Sequence, residues 1–174
     1  MENQQKPTNK IALNYGLILG FASILFHVIL FALGKHLEQD WKMSVVSFLI
    51  TTVVTVLGIK KFKEANNGFL TLGQGLKTGL SIVMISAVIY VVYQLIFMYV
   101  ISPEAIDQAL EIARQKMLEN PNLTDEQIEQ AVEMQKKFSG PAFIVPIILI
   151  FSLFIGFIIS LIASLVMQKK EDQY

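Results

Sequence analysis

The chain has 174 residues and no formal net charge, and only 16% of its residues are charged, against about 25% in soluble domains. Its 53% hydrophobic content excludes an ordinary water-soluble domain, and the absence of cysteine excludes disulfides, thiolate nucleophiles and Cys-bound zinc or iron–sulfur sites. Thirteen of the fourteen basic residues are Lys and only Arg114 is Arg, so there is no arginine-rich strip for reading nucleic acid, and no nucleic-acid partner is expected.

The first ten residues, Met1 to Lys10, are polar and contain Pro7. They predict a short disordered tail, because they hold too little apolar surface to order themselves. From Ile11 to Leu33 no Asp, Glu, Lys or Arg occurs. Those 23 residues exceed the roughly 7 to 15 of a signal-peptide core, and no Ala-x-Ala-like cleavage site follows, so they predict a retained membrane helix. Gly34 to Lys42 is a short turn, in which His36 reads as an ordinary exposed histidine. The second apolar run, Met43 to Ile59, has 17 residues and is short for a bilayer of about 30 Å. Trp41 and Lys42 at one edge, with Lys60, Lys61 and Lys63 at the other, are the anchors that let a short span cross.

Asn66-Asn67-Gly68 marks a turn, since Asn and Gly tolerate positive φ, and Thr71 then caps a new helix. Phe69, Leu72, Leu76 and Leu80 stand at helical spacing and predict an amphipathic approach along the membrane surface into the third span, Thr78 to Ile101. Gly73-Gln74-Gly75-Leu76-Lys77 is not a phosphate loop, because Leu76 separates the glycine from the lysine and no strand precedes it.

Residues 103–138 read as a helical hairpin. Ser102 caps the first helix with Pro103 at its first position, Asn120-Pro121-Asn122 ends it, and Thr124-Asp125-Glu126-Gln127 is a capping box opening the second. The hairpin's acids lack the Asp-x-Asp-x-Asp-Gly pattern of a calcium loop, so no metal or other cofactor is expected. The fourth span runs from Ala142 to Met167 and contains Pro146, a tolerated interruption in lipid.

Cations near span ends resist translocation. The face carrying both termini holds eight cations and four acids, and the other face holds six cations and ten acids. This balance predicts both termini in the cytoplasm and an extracytoplasmic hairpin. The fold expected is one all-α domain over residues 1–174, an integral membrane four-helix bundle of a multi-pass inner-membrane protein.

Within lipid, small residues allow backbones to approach. Gly16 and Gly20, Gly75 and Gly79, and Ser152, Gly156, Ser160 and Ser164 form seams at intervals of four, with Ser47, Thr51 and Thr55 in the second span. These serve a compact bundle or a dimer. His27 and Gln94 are the polar intramembrane residues that most invite a role. Both lie toward the far side of helices running in the same direction, which predicts a hydrogen-bonded His27–Gln94 pair.

Gly68-Phe69 leading through Leu76-Lys77-Thr78-Gly79, Tyr99-Val100-Ile101-Ser102-Pro103, and the helix start Thr124-Asp125-Glu126-Gln127-Ile128-Glu129 together resemble a family of four-span bacterial membrane proteins, domain of unknown function 4199. The resemblance covers nearly the whole chain and implies an inner-membrane location. It brings no activity and no site residues. The expectation is therefore a non-enzymatic structural or partner-binding membrane protein, its partners being the lipid bilayer and another membrane protein or a second copy. A small transporter or channel component is the alternative.

Overall fold

Each apolar stretch is a helix, and its flanks decide how far it extends. The computed structural model describes residues 5–37 and 40–169. α1 spans Gln5–Ala32, α2 Trp41–Ala65, α3 Leu72–Ile96, α4 Ala105–Leu118, α5 Asp125–Phe138 and α6 Pro141–Met167. α3 continues into a π-helical turn, Phe97–Ile101. Four of these helices, α1, α2, α3 with its π turn, and α6, are long and apolar enough to cross a membrane. Among the described residues there is no β-strand, only an isolated bridge between Leu70 and Lys169 that ties the α2–α3 turn to the end of α6.

Several boundaries differ from the sequence reading. The polar segment before Ile11 is helical from Gln5, because each residue added to an existing helix gains one hydrogen bond. Pro7 falls in the first turn, where its missing N–H has no intrahelical partner in any case. The weak second span is a helix of 25 residues, about 38 Å at 1.5 Å per residue, so its length suffices to cross. Asp40 caps it by accepting a hydrogen bond from the Lys42 amide at 2.9 Å. The approach to the third span is the first turns of one uninterrupted helix. Thr71 and Gln74 form a capping box at its start. Ser102 and Pro103 do not open α4; Ser102 closes the π turn by donating its amide to Phe97 at 2.8 Å, and α4 begins at Ala105.

The turns follow their chemistry. Gly34, at φ +69°, ends α1 with two bonds, its own amide to Phe31 and the Lys35 amide to Leu30. That is the αL glycine closure of a helix, which only a residue without a Cβ makes cheaply. Asn67 and Gly68 take positive φ between α2 and α3. Thr124 and Gln127 form the expected capping box on α5.

Three helices, α1, α2 and α6, then pack around α3. Lipid is as apolar as Leu, so burying Leu gains little, and the contact depends on how closely backbones approach. The interior accordingly holds Thr55, Thr78, Ser86, Ser160 and Ser164, while Phe21, Phe48, Phe151, Phe154 and Val166 are exposed on the outside. On one side of α3, a Cβ on Gly16 would come within 2.7 Å of Ile85, and one on Gly20 within 3.1 Å of Ile89, so α1 lies parallel to α3. On another side, Gly75 faces Ser164, Gly79 faces Ser160 and Val83 faces Gly156. That descending series at steps of four makes α6 antiparallel to α3. α2 joins the bundle mainly through Thr55, Gly58, Ile59 and Phe62, all in the half nearest the termini. Its other half, Trp41 to Ile50, contains no buried residue.

α4 and α5 form a hairpin joined by Arg114, whose Nη2 donates to Glu129 Oε1 at 2.8 Å. This exposed pair sets register more than stability. Gln108, Ile112 and Lys116 of α4 face Gly34, His36, Leu37 and Asp40 of the α1–α2 turn across a second cavity, so the hairpin leans on the bundle's end.

Candidate functional site

Where α2 separates from the bundle, a chamber of about 650 Å³ opens among all four long helices. Its walls come from Leu19 to Leu30 of α1, Met43 to Thr51 of α2, Val83 to Tyr90 of α3 and Ile148 to Ile155 of α6. The lining is mixed. Phe26, Phe48, Phe151, Ile148 and Ile155 supply apolar surface, while Ser23, His27, Ser44, Ser47, Thr51, Ser86, Tyr90 and Ser152 supply polar atoms. No Asp, Glu, Lys or Arg reaches it.

Two of the hydroxyls are already committed. Ser23 donates to the Leu19 carbonyl at 2.9 Å and Thr51 to the Ser47 carbonyl at 3.0 Å, each back along its own helix. The hydroxyls of Ser44, Ser47, Ser86, Ser152 and Tyr90 line the same space, while the fully buried hydroxyls without a partner among the described residues, those of Thr55, Ser160 and Ser164, lie outside it. A hydroxyl in a hydrocarbon surrounding needs a hydrogen-bond partner, so five more of them converging on one space make it a place for polar atoms.

His27 sits at the chamber's upper wall. Its Nδ1 lies 2.9 Å from the Tyr93 hydroxyl. When the Tyr93 O–H donates to Nδ1, the neutral imidazole carries its hydrogen on Nε2 and presents that edge as a donor. Around it the rings of Phe97 at 4.8 Å, Tyr93 at 5.5 Å and Tyr90 at 6.3 Å stand edge to face, an arrangement that aromatic quadrupoles favour.

The expected His27–Gln94 pair is not made. Gln94 Oε1 is buried without a hydrogen-bond partner. The physical reason is helical phase. The side of α3 that meets α1 carries Ile85 and Ile89, and one more step of four reaches Tyr93. Gln94 is rotated about 100° further, onto the side of Val83, which meets Gly156 of α6.

His36 is also not an ordinary exposed loop residue. Its ring nitrogens are both buried and unpartnered, and its ring lies 4.8 Å from Phe31, 5.8 Å from Phe97 and 6.3 Å from His27. The glycine turn at Gly34 folds the chain back beneath α4, which sequence spacing does not reveal.

Of the residues singled out for packing, Gly16, Gly20, Gly75, Gly79, Gly156 and Ser160 lie in α1–α3 and α3–α6 contacts within one chain. Ser47, Thr51 and Ser152 instead line the chamber. Tyr90 and Tyr93 escaped the sequence reading because a tyrosine in an apolar run scores as amphipathic filler. The signal available was their spacing of three on one helix, with Ser86 a turn before.

The family model described as "Protein of unknown function (DUF4199)" matches residues 14–169, which takes in most of α1 and all of the other helices. The chain belongs to the DUF4199 family. No curated protein and no solved structure matches this DUF4199 protein. Its membrane character therefore rests on the four long apolar helices.

Proposed function

We propose that this DUF4199 protein is a non-enzymatic, multi-pass protein of the bacterial inner membrane that works by holding a small membrane-soluble molecule in the chamber. Both termini lie in the cytoplasm and the α4–α5 hairpin lies outside, a placement supported by the excess of Lys next to the membrane at the termini end. The observation that carries the binding reading is the convergence of five hydroxyl-bearing side chains beyond Ser23 and Thr51, together with His27, on one space of about 650 Å³, within the roughly 300–1,000 Å³ usual for ligand pockets.

Binding is favoured over passage because the bundle closes toward the termini. Leu19, Ile82, Thr55 and Ile59 are at most 2% exposed there, and Gly79 and Ser160 meet with no space between them. A carrier would also be expected to show intramembrane charge or broken helices at the midplane.

The test fills the chamber. Ser47→Phe with Ser152→Phe replaces two small lining groups by rings, on walls contributed by α2 and α6. Native mass spectrometry of the protein released from gently extracted membranes is expected to show a small-molecule adduct on the natural chain and none on the filled one. Equal adduct content in both, or none in either, refutes the reading.

A further inference from the structure

The chamber's chemistry narrows what it holds. We propose that its occupant is an uncharged lipid whose head carries carbonyl oxygens, entering sideways from the bilayer between α2 and α6. This rests on the reading of the chamber as a binding site.

Three observations bear on the head group. The lining contains no Asp, Glu, Lys or Arg, so a phosphate or an ammonium head would be desolvated there without a counter-charge. Charged lipids are therefore disfavoured. The polar atoms present are hydroxyls, each with one O–H to donate beside its own lone pairs, and one imidazole edge. With Ser44 and Ser47 on the α2 wall, Ser86 and Tyr90 on the α3 wall and Ser152 on the α6 wall, donors surround the space. Each O–H can be given to a head that mainly accepts, such as the carbonyls of a quinone ring or of a diacylglycerol ester.

The apolar part of the molecule has a way in. Ser44, Ser47 and Phe48 of α2 and Phe151 of α6 are the lining residues that are also exposed on the outer surface. The remaining walls are partly or fully buried. The portal is therefore the gap between the hairpin-side half of α2, which has no buried residue, and α6, with Phe48 at 46% and Phe151 at 66% exposure on its two sides. Those rings face lipid, so a chain threading between them stays in an apolar surrounding. A molecule arriving this way never crosses water, and its head moves from the interface to a set of waiting donors.

The experiment measures equilibrium binding to the full-length protein in detergent, with three radiolabelled probes. They are a decyl-substituted benzoquinone, dioctanoylglycerol, and dioctanoyl phosphatidylglycerol as the charged comparison. Saturable binding of the quinone or of the diacylglycerol is expected, and whichever binds identifies the source of the carbonyl head. His27→Phe, which keeps a ring of similar size within the aromatic cluster, is expected to weaken that binding roughly threefold to tenfold. Ser47→Phe with Ser152→Phe is expected to abolish it while leaving the helical circular dichroism spectrum unchanged. Preferential binding of phosphatidylglycerol, failure of both neutral probes, or binding indifferent to the filled chamber overturns the proposal. An adduct on the natural chain that the filled variant lacks, combined with no binding of either neutral probe, shows that the chamber binds a ligand of another class. Loss of that adduct difference as well brings down the binding reading itself.

Discussion

Replacing Gly79 by Ala puts a methyl group into the α3–α6 contact at its tightest step. The new Cβ would stand 2.7 Å from Ser160 Cβ and 3.0 Å from Ile59 Cδ1, whereas carbon atoms settle at about 3.5–4.0 Å. Relieving this requires α6 to retreat from α3 by about 1 Å at a seam whose other steps, Gly75 on Ser164 and Gly156 on Val83, share the same spacing. Overpacking of that kind costs about 1–3 kcal/mol, and the better helix propensity of Ala offsets at most about 1 kcal/mol of it. A net loss of about 1–2 kcal/mol lowers the melting midpoint by roughly 2–8 °C in a chain of this size. The assay is thermal unfolding in one detergent, followed by far-ultraviolet circular dichroism. Gly73→Ala is the control, since a Cβ there meets nothing within 4 Å and the midpoint should hold or rise. Exchanging sizes across the seam, Gly79→Ala with Ser160→Gly, should recover much of the loss. A Gly79→Ala protein that melts like Gly73→Ala, or an exchange that recovers nothing, refutes the close-approach account of this bundle.

Tyr93→Phe removes the hydrogen bond to His27 and is expected to cost about 0.6 kcal/mol and at most about 1.7, while Gln94→Leu is neutral or stabilising because Gln94 Oε1 has no partner to lose; the same melting assay ranks them, and the reverse order would reinstate Gln94 as the partner. Thr124→Ala breaks the α5 capping box and should weaken that helix by about 1 kcal/mol, read as faster amide exchange in α5 with α1, α3 and α6 unchanged. Cysteines placed singly at Asn122 and Glu64, in a chain with none of its own, report orientation: a membrane-impermeant maleimide should label position 122 in intact spheroplasts and position 64 only after lysis. The opposite pattern inverts the proposed topology.

Much of the architecture was legible in the chain because lipid imposes simple rules. A stretch of twenty or so residues without charge has to be a helix, since no other single segment satisfies its own backbone in hydrocarbon. The capping boxes at Thr71 and Thr124 and the turn at Asn67-Gly68 are equally local, decided by side chains within a few residues of the backbone groups they satisfy. The small-residue stripes were visible too. Their partners were not, because a stripe states that something comes close and leaves open what does.

The tertiary structure alone decided the site. Tyr93, in place of Gln94, meets His27 because the α1-facing side of α3 is set by where Gly16 and Gly20 lie on Ile85 and Ile89, and one residue along a helix is 100° of rotation. His36 turned from loop residue to covered ring through the fold-back at Gly34 and the overlying α4. The chamber exists because α2 packs at Thr55 to Phe62 and not at Trp41 to Ile50, so Ser47 and Thr51, small residues of the same stripe as Thr55, line a space rather than a seam. Hydropathy and spacing determine which segments are helices and which faces are small; only the angle and depth at which those helices meet determine which small faces close and which stay open.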